Sequence, residues 1–221
     1  GIFNTSNNVS DYFGLRAQNI LLQEENNRLK SILFNSNDNA GFTYIDSLSF
    51  DKHYKFTAAQ VNRNSYAATN NILLLNKGEN DSIKQDFGVI SSKGIIGITE
   101  NVSNGHARVQ SILNRNSKIN ARFKNNSFFG SLEWDGKNHN IVQLKDIPRQ
   151  AIFKKGDTII TGGMSTIFPE GILIGTILEV PETNTASNTL NIKLFNDMSN
   201  LDQVYVVKNL EKEELQNLNN E

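Results

Sequence analysis

The spacing of apolar residues changes once along the chain, near residue 35. Between Tyr12 and Phe34, leucines recur every seven residues, which is the repeat of a coiled-coil helix. After Gly41, β-branched and other apolar residues come in short runs separated by Gly, Asn and Asp, which is typical of strands and tight turns. The pattern therefore predicts a mostly β protein with one N-terminal coiled-coil helix.

The predicted helix carries a narrow apolar seam with Leu at its d positions and two Asn at its a positions. A helix of about 23 residues is marginal in water by itself, so a partner helix is expected to bury the seam. The alternative to a paired helix is a lone amphipathic helix that packs on the β region of its own chain. A strict a/d stripe is narrower than the face that such a helix buries. We predict dimerisation through Tyr12, Leu15, Asn19, Leu22, Asn26, Leu29 and Leu33.

A glycine-framed cassette occurs twice in the β region, at Gly88–Val102 and at Gly156–Val180. Both copies place β-branched residues between glycines, a pattern typical of paired strands in which backbones approach closely. The repeat and about a dozen candidate strands predict two small β-barrels, with the first barrel resumed after the second has been inserted.

The expected division of the chain has five parts. Residues 1–11 form a linker from a removed membrane anchor, 12–36 form the coiled coil, and 209–221 form an acidic tail. The first barrel takes residues 40–85 and 168–208, and the second takes 86–167.

Composition removes several classes of function. The net charge of −1 provides no field that would attract nucleic acid, and no Cys is present for disulfides, thiolate zinc sites or a cysteine nucleophile. No apolar run of about 18 residues is present, so this sequence is expected neither to span a bilayer nor to carry a signal-peptide core. We predict neither a cofactor nor a metal site.

A double barrel raises the question of a serine protease. The imidazoles are His53, His106 and His139, with Asp51 beside His53, and Ser165 follows a glycine pair. None of these lies in a nucleophile-loop motif, so we predict that the chain is not an enzyme. The bulky residues Phe128, Ile167 and Phe168 lie near predicted turns, where apolar side chains often anchor partners, and form the candidate partner surface.

Taken in order, four segments of the chain resemble the bacterial rod-shape-determining protein MreC family. They are the heptad helix, Ile72–Gly78, the first cassette, and the second cassette with its Phe168-Pro169 turn. The resemblance implies two barrels, one of chymotrypsin-like arrangement without a protease triad, dimerisation through the helix, and possible higher self-assembly. It also implies a single-pass anchor in the cytoplasmic membrane, with this part facing the periplasm or cell exterior.

The same resemblance implies a scaffold of the cell-wall elongation machinery that controls cell shape. Its expected partners are a class B penicillin-binding transpeptidase, MreD, RodZ and the MreB system. Two other functions remain open at this stage. A barrel-type serine hydrolase predicts reaction with a serine-directed probe, and a solute-binding envelope module predicts a pocket with converging polar groups.

Overall fold

The computed structural model describes residues 26, 29, 53–179 and 188–212. Within these residues the chain forms twelve strands and one short 3₁₀ helix at Glu79–Asp81. The strands are β1 (Tyr54–Asn64), β2 (Asn70–Leu75), β3 (Gly88–Ile90), β4 (Ile95–Val102), β5 (Ala107–Asn114), β6 (Ile119–Phe123), β7 (Phe129–Glu133), β8 (Ile141–Ile147), β9 (Thr158–Thr161), β10 (Leu173–Ile177), β11 (Asn188–Leu194) and β12 (Gln203–Asn209).

The strands close into two antiparallel barrels of six strands each. Barrel 1 has the order β1-β12-β3-β4-β5-β2, and barrel 2 has the order β10-β11-β8-β7-β6-β9. The chain builds five strands of barrel 1, then all of barrel 2, and returns with β12 to close barrel 1 between β1 and β3. Closure leaves no long unpaired strand edge in either barrel. The prediction of a mostly β chain with two barrels, one inserted into the other, is confirmed.

The predicted boundaries of the barrels were wrong. The first cassette, placed in the second barrel, forms the β3–β4 hairpin of barrel 1. The predicted cut at residues 167/168 would divide the second cassette, whose strands β9 and β10 pair with each other inside barrel 2. A cut there is excluded because the backbone hydrogen bonds of a hairpin join its two strands into one unit.

Alternate strand positions fill the interior of each barrel, as the two-residue period of a strand requires. In barrel 1 the interior side chains include Leu73, Leu75, Val89, Ala107, Val109, Val204 and Val206. In barrel 2 they include Ala121, Phe123, Leu132, Val142, Leu144, Ile159, Leu190 and Ile192. All are buried, and each large apolar side chain contributes about 1.5–3 kcal/mol by leaving water.

The two cassettes form similar hairpins in the two barrels. Each is an antiparallel hairpin, and each has a glycine whose Cβ position is occupied by a carbonyl of the neighbouring strand. A Cβ at Gly97 would lie 2.1 Å from the Gln110 carbonyl oxygen, and a Cβ at Gly175 would lie 2.1 Å from the Lys193 carbonyl oxygen. These glycines are therefore needed for close backbone approach.

Polar contacts join the barrels where β11 ends. The Asn196 side chain is 5% exposed and uses both ends of its amide. Its Nδ2 donates to the Ile95 carbonyl oxygen (2.9 Å), and its Oδ1 accepts from the Ser91 hydroxyl (2.5 Å). Because a buried amide is stable only when both groups are paired, this asparagine fixes the β3–β4 turn of barrel 1 against barrel 2.

Two residues of the predicted coiled coil lie within the described part of the chain. Asn26 and Leu29 are helical and exposed, with Leu29 49% exposed. The other seam residues, Tyr12, Leu15, Asn19, Leu22 and Leu33, lie outside the described residues, as do the predicted linker and the tail beyond Lys212. The coiled coil and its dimer stay predictions.

The stability of barrel 2 depends on pH through a carboxylate on β7. Glu133 accepts a hydrogen bond from Lys145 Nζ at 2.7 Å and lies 3.4 Å from Lys118 Nζ. The hydrogen bond from Lys145 lowers the pKa of Glu133, and burial opposes this effect without overcoming it. Because the pKa is lower in the folded chain, the stabilisation is present above the ordinary value of 4.5 and is lost as the pH falls through the folded value.

We expect Glu133→Gln to lower the free energy of unfolding by about 0.5–1 kcal/mol near neutral pH, since Lys145 is half-exposed. The difference from the wild-type chain should shrink as the pH falls below 4.5 and disappear below the lowered folded pKa of Glu133, where the carboxylate is protonated. Urea unfolding at neutral pH and at one pH below this folded pKa measures it. Glu100→Gln removes the more exposed pair with Arg108 and should cost less. An equal loss at both pH values would show that the ion pair is not the cause.

Candidate interaction surface

The loop between β9 and β10 packs against barrel 1. Phe168 is 2% exposed, and a Cβ on Gly88 of β3 would lie 2.5 Å from its Cε1 atom. The Asn209 side chain at the end of β12 donates to the Thr166 carbonyl oxygen at 3.0 Å. The prediction that Phe168 belongs to an exposed partner surface was wrong, because Gly88 leaves space into which the ring is buried. The other two predicted residues, Ile167 and Phe128, are partly buried against the core.

One end of barrel 2 presents apolar side chains to solvent. The Phe128 backbone N–H donates to Asn126 Oδ1 at 3.0 Å, and Asn126 Nδ2 donates to the Ile152 carbonyl oxygen at 3.0 Å. Asn126 thereby joins the β6–β7 turn to the segment after β8. Ile152 is 85% exposed, and Phe128 is partly exposed beside it. We call Phe128 and Ile152 the Ile152 patch.

An aromatic stack fixes the residue that follows Ile152. The rings of Phe123, in the core, and Phe153, next to Ile152 in sequence, stack with centroids 5.5 Å apart and planes 10° apart. A stacked aromatic pair of this kind contributes about 0.5–1.5 kcal/mol beyond its buried area. The backbone next to the exposed Ile152 is therefore attached to the core through Phe153.

Basic residues surround the Ile152 patch. Lys124, Lys154 and Lys155 are exposed, and in the part of the chain that the structure describes none of them forms an ion pair with a carboxylate. The Lys124 N–H donates to the Thr158 carbonyl oxygen at 2.9 Å, which brings the β6–β7 turn next to the start of β9. An apolar centre with a charged rim is the usual anatomy of a protein interface, and this rim favours an acidic partner.

A second feature lies on the outer face of β6 and β7. It is a shallow, open depression of about 310 Å³, and Asn120, Phe129 and Asp146 are among its lining residues. Asn120 Nδ2 contacts the sulfur of Met164 at 3.7 Å, and Met164 is 72% exposed. The depression is open and its walls are mixed, so it lacks the enclosure by which small-molecule sites exclude water.

The candidate catalytic residues are engaged separately. His53 Nδ1 lies 2.7 Å from Glu211 Oε1, and the His139 ring meets Tyr66 edge to face with centroids 5.5 Å apart. Ser165 Oγ accepts a hydrogen bond from the Ile167 N–H at 3.1 Å. Within residues 53–179 and 188–212, no hydrogen bond joins any of the three histidines to Ser165. The sequence-level serine hydrolase hypothesis thus finds no assembled triad in this part of the chain.

The described ranges contain no group of three or more His, Asp or Glu placed to hold a metal ion. Among the helices that the structure describes, none has both the length and the apolar character needed to cross a membrane.

Comparison with known proteins identifies the family. A family model described as "Rod shape-determining protein MreC, barrel core" matches residues 61–208, which include all of barrel 2 and most of barrel 1. The chain belongs to the MreC family. The "Cell shape-determining protein MreC" of Listeria monocytogenes is 31% identical over 138 residues, covering 61% of this chain and 47% of that protein. The chain spans about half to two thirds of the length of the curated MreC proteins it matches.

Solved MreC structures share the fold. A Listeria monocytogenes MreC structure aligns with a TM-score of 0.63 at 25% identity, covering 93% of this chain and 94% of that one. The MreC chain in a complex between the penicillin-binding protein PBP2 and MreC of Helicobacter pylori aligns with a TM-score of 0.56 at 18% identity. That alignment covers 70% of this chain and 98% of the other. The family assignment from the sequence is confirmed.

The sequence pattern did not single out Ile152. Its only signal is that it lies in a short apolar run, Ala151–Phe153, between Pro148 and Lys155. Apolar residues are common on protein surfaces, so the pattern alone gives no reason to select it. Its importance arises from its contact with the β6–β7 turn through Asn126.

Proposed function

We propose that this chain is the extracytoplasmic part of a non-enzymatic scaffold of the cell-wall elongation machinery, and that it binds a class B penicillin-binding transpeptidase. The observation that carries the proposal is the family membership, since MreC relatives are named for determining cell shape. The Helicobacter pylori relative, which shares the fold, occurs in a complex with PBP2. His53, His139 and Ser165 each contact other residues rather than one another, which supports a function without catalysis.

The Ile152 patch is the surface that we assign to the transpeptidase. It combines an exposed apolar side chain, a neighbouring phenylalanine that stacks on the core, and exposed lysines nearby in the sequence. Phe128, predicted from the sequence as part of the partner surface, belongs to this patch. Ile167 is proposed as a secondary contact, because it lies in the β9–β10 loop that packs against barrel 1.

Barrel 2 is the barrel to which we assign the chymotrypsin-like arrangement. Its first three strands are neighbours in sequence order, β6-β7-β8, and the other three return as β11-β10-β9 to close on β6. This order supports the assignment, whereas barrel 1 is closed by a strand from the end of the chain. Kinship of fold carries no activity by itself, so the arrangement is compatible with a binding role.

The N-terminal helix is proposed to pair two protomers and to lead to a membrane anchor outside this sequence. The anchor would be a single span of the cytoplasmic membrane, with the barrels facing the periplasm or cell exterior. Higher self-assembly, and association with MreD, RodZ and the MreB system, complete the proposed scaffold. These associations rest on the family resemblance.

We expect Leu22→Ala combined with Leu29→Ala to convert a dimer into a monomer at micromolar concentration, because both leucines lie at d positions of the predicted seam. Sedimentation equilibrium measures the mass, and circular dichroism should show an unchanged β signal. Glu24→Ala combined with Arg28→Ala changes two positions outside the seam and should leave the dimer intact. An unchanged mass for the leucine variant would refute the paired helix.

The transpeptidase surface is tested by co-purification from envelope membranes with the full-length, anchored protein. Wild-type protein should retain the class B transpeptidase. Ile152→Asp should weaken the association by about thirtyfold, because it places an unpaired carboxylate at the centre of the interface. Met164→Asp makes the same change at an exposed apolar residue outside the patch and should have little effect. Equal retention by both variants would reject the Ile152 patch.

A further inference from the structure

One end of barrel 1 contains a cavity of about 100 Å³ that the function proposed above does not use. Its floor is Val206 of β12, with Ile83 and Phe87 from the segment that precedes β3. All three side chains are buried. Val206 faces the barrel interior because it pairs with Val89. The segment from Lys77 to Phe87 therefore caps the barrel incompletely and leaves this space beneath it.

Two lysines line the mouth of this cavity. Lys55 of β1 and Lys208 of β12 are directly opposite each other in the antiparallel register, two residues along from the pair of Thr57 and Val206. Directly opposite residues point to the same side of the sheet, so the two ammonium groups lie at the same opening. Like charges in this arrangement repel, and their repulsion destabilises the protein unless an anion lies between them.

The carboxylate that lines the cavity already has other partners. Asp81 lines the cavity, but it accepts a hydrogen bond from Lys77 Nζ at 2.7 Å and another from the Gly78 N–H at 3.1 Å. In the described part of the chain, neither the Lys55 nor the Lys208 side chain forms an ion pair or a hydrogen bond. Since Lys77 balances Asp81, the described residues leave two positive charges at the mouth without a paired carboxylate.

The remaining polar groups can also serve an anion. The hydroxyls of Thr57 and Ser82 line the cavity, and over residues 53–179 and 188–212 neither side chain has a hydrogen-bond partner. Ser82 is held in the left-handed region, with φ of 62°, and its N–H donates to the Glu79 carbonyl oxygen. Two ammonium groups and two hydroxyls together supply donors for both oxygens of a carboxylate.

The size and polarity of the cavity determine which kind of anion it can bind. A water molecule occupies about 30 Å³ of liquid, so the cavity has the volume of about three waters and admits one carboxylate with a short alkyl stem. The apolar floor of Ile83, Phe87 and Val206 suits methylene groups and offers nothing to an inorganic anion that is polar on every side. We propose that this cavity is a binding site for one organic carboxylate, carried on an alkyl stem of the length of an aspartate or glutamate side chain.

The test is a titration of the ¹⁵N-labelled full chain, followed by NMR, with propionate, its neutral analogue propionamide and inorganic phosphate. Propionate should shift the amides of Ser82, Ile83 and Phe87 saturably. Lys55→Gln and Lys208→Gln should each weaken this binding by about tenfold, since each removes one charged donor. Lys124→Gln makes the same change in charge on barrel 2 and should have no effect. Propionate should also raise the melting temperature of the wild-type chain but not that of the double variant.

A short capped Gly/Ser peptide carrying one glutamate, compared with its glutamine counterpart, separates two sources of the carboxylate. Tighter binding of the glutamate peptide than of propionate indicates an acidic side chain of a docking segment, and the reverse order indicates a free small acid. Equal shifts with propionamide, tighter binding of phosphate than of propionate, absence of saturable shifts, or unchanged binding in both lysine variants would overturn the proposal. No transpeptidase takes part, so the outcome is independent of the scaffold assignment.

Discussion

Replacing Gly97 by alanine should destabilise the chain by about 3 kcal/mol or more. The added Cβ would lie 2.1 Å from the Gln110 carbonyl oxygen and 2.9 Å from Val109 Cγ1. The oxygen belongs to β5, which is paired with β4, so relief of the clash requires the two strands to separate. A closed barrel resists this separation because every strand is held on both sides. Val at this position should prevent folding altogether.

Gly105 provides the matched control for this prediction. It lies in the turn between β4 and β5, and a Cβ added there meets no atom within 4 Å. Gly105→Ala should therefore change the free energy of unfolding by less than about 0.5 kcal/mol. Urea unfolding followed by circular dichroism measures both variants. Comparable stabilities for Gly97→Ala and Gly105→Ala would show that strand approach at Gly97 is not limiting.

Replacing Phe168 by alanine should cost about 3–5 kcal/mol, the usual range for removing a buried aromatic side chain. The contact between the two barrels should be weakened most, because the ring projects from the β9–β10 loop of barrel 2 onto β3 of barrel 1. We expect the two barrels of this variant to become separately susceptible to proteolysis. Limited proteolysis with mass spectrometry detects this as cleavage near residues 114–119 and 194–203.

A double-mutant cycle with Gly88 tests the contact itself. In the wild-type chain, Gly88→Ala places a Cβ 2.5 Å from the Phe168 ring and should destabilise the protein. In the Phe168→Ala background the ring is absent, so the same change should cost much less. The two substitutions should therefore be non-additive, with a coupling of about 1–3 kcal/mol. Additive costs would indicate that the ring does not rest on Gly88.

Local sequence patterns predicted the strands well. The alternation in Ala107–Leu113 and the glycine frame of both cassettes correspond to β5 and to the two hairpins. These features depend on neighbours within about 20 residues, which a sequence displays directly. The 3₁₀ helix at Glu79–Asp81 had no such signal, because three residues are too few to show a period.

The division into barrels could not be obtained in the same way. The predicted division placed β12 in barrel 1, as the structure has it, but gave β3, β4 and β5 to the second barrel and β10 and β11 to the first. The places of these strands depend on long-range pairing, such as that of β3 with β12, where Ile90 is opposite Tyr205, more than a hundred residues away. Either barrel could accept a strand with two buried faces such as β3, and the burial pattern of a single strand does not distinguish them. The sequence predicted that one barrel is inserted into the other, but the point of insertion follows from long-range pairing.

The candidate surface shows a similar limit. Phe168 and Phe128 both stand near turns in the sequence, yet Phe168 is buried because a glycine 80 positions earlier leaves room for its ring. Ile152 is the most exposed large apolar residue of the described chain, and only the contact through Asn126 shows that it joins Phe128. The exposure and proximity of side chains are tertiary properties. A turn motif alone therefore does not show whether an apolar residue fills the core or contacts a partner.

The scaffold assignment is tested most directly by isothermal titration calorimetry of the full chain against the class B penicillin-binding transpeptidase of the same cell. Wild-type protein should bind saturably, one transpeptidase per protomer, and Ile152→Asp should reduce the affinity by about thirtyfold. No saturable heat with wild-type protein would contradict the assignment.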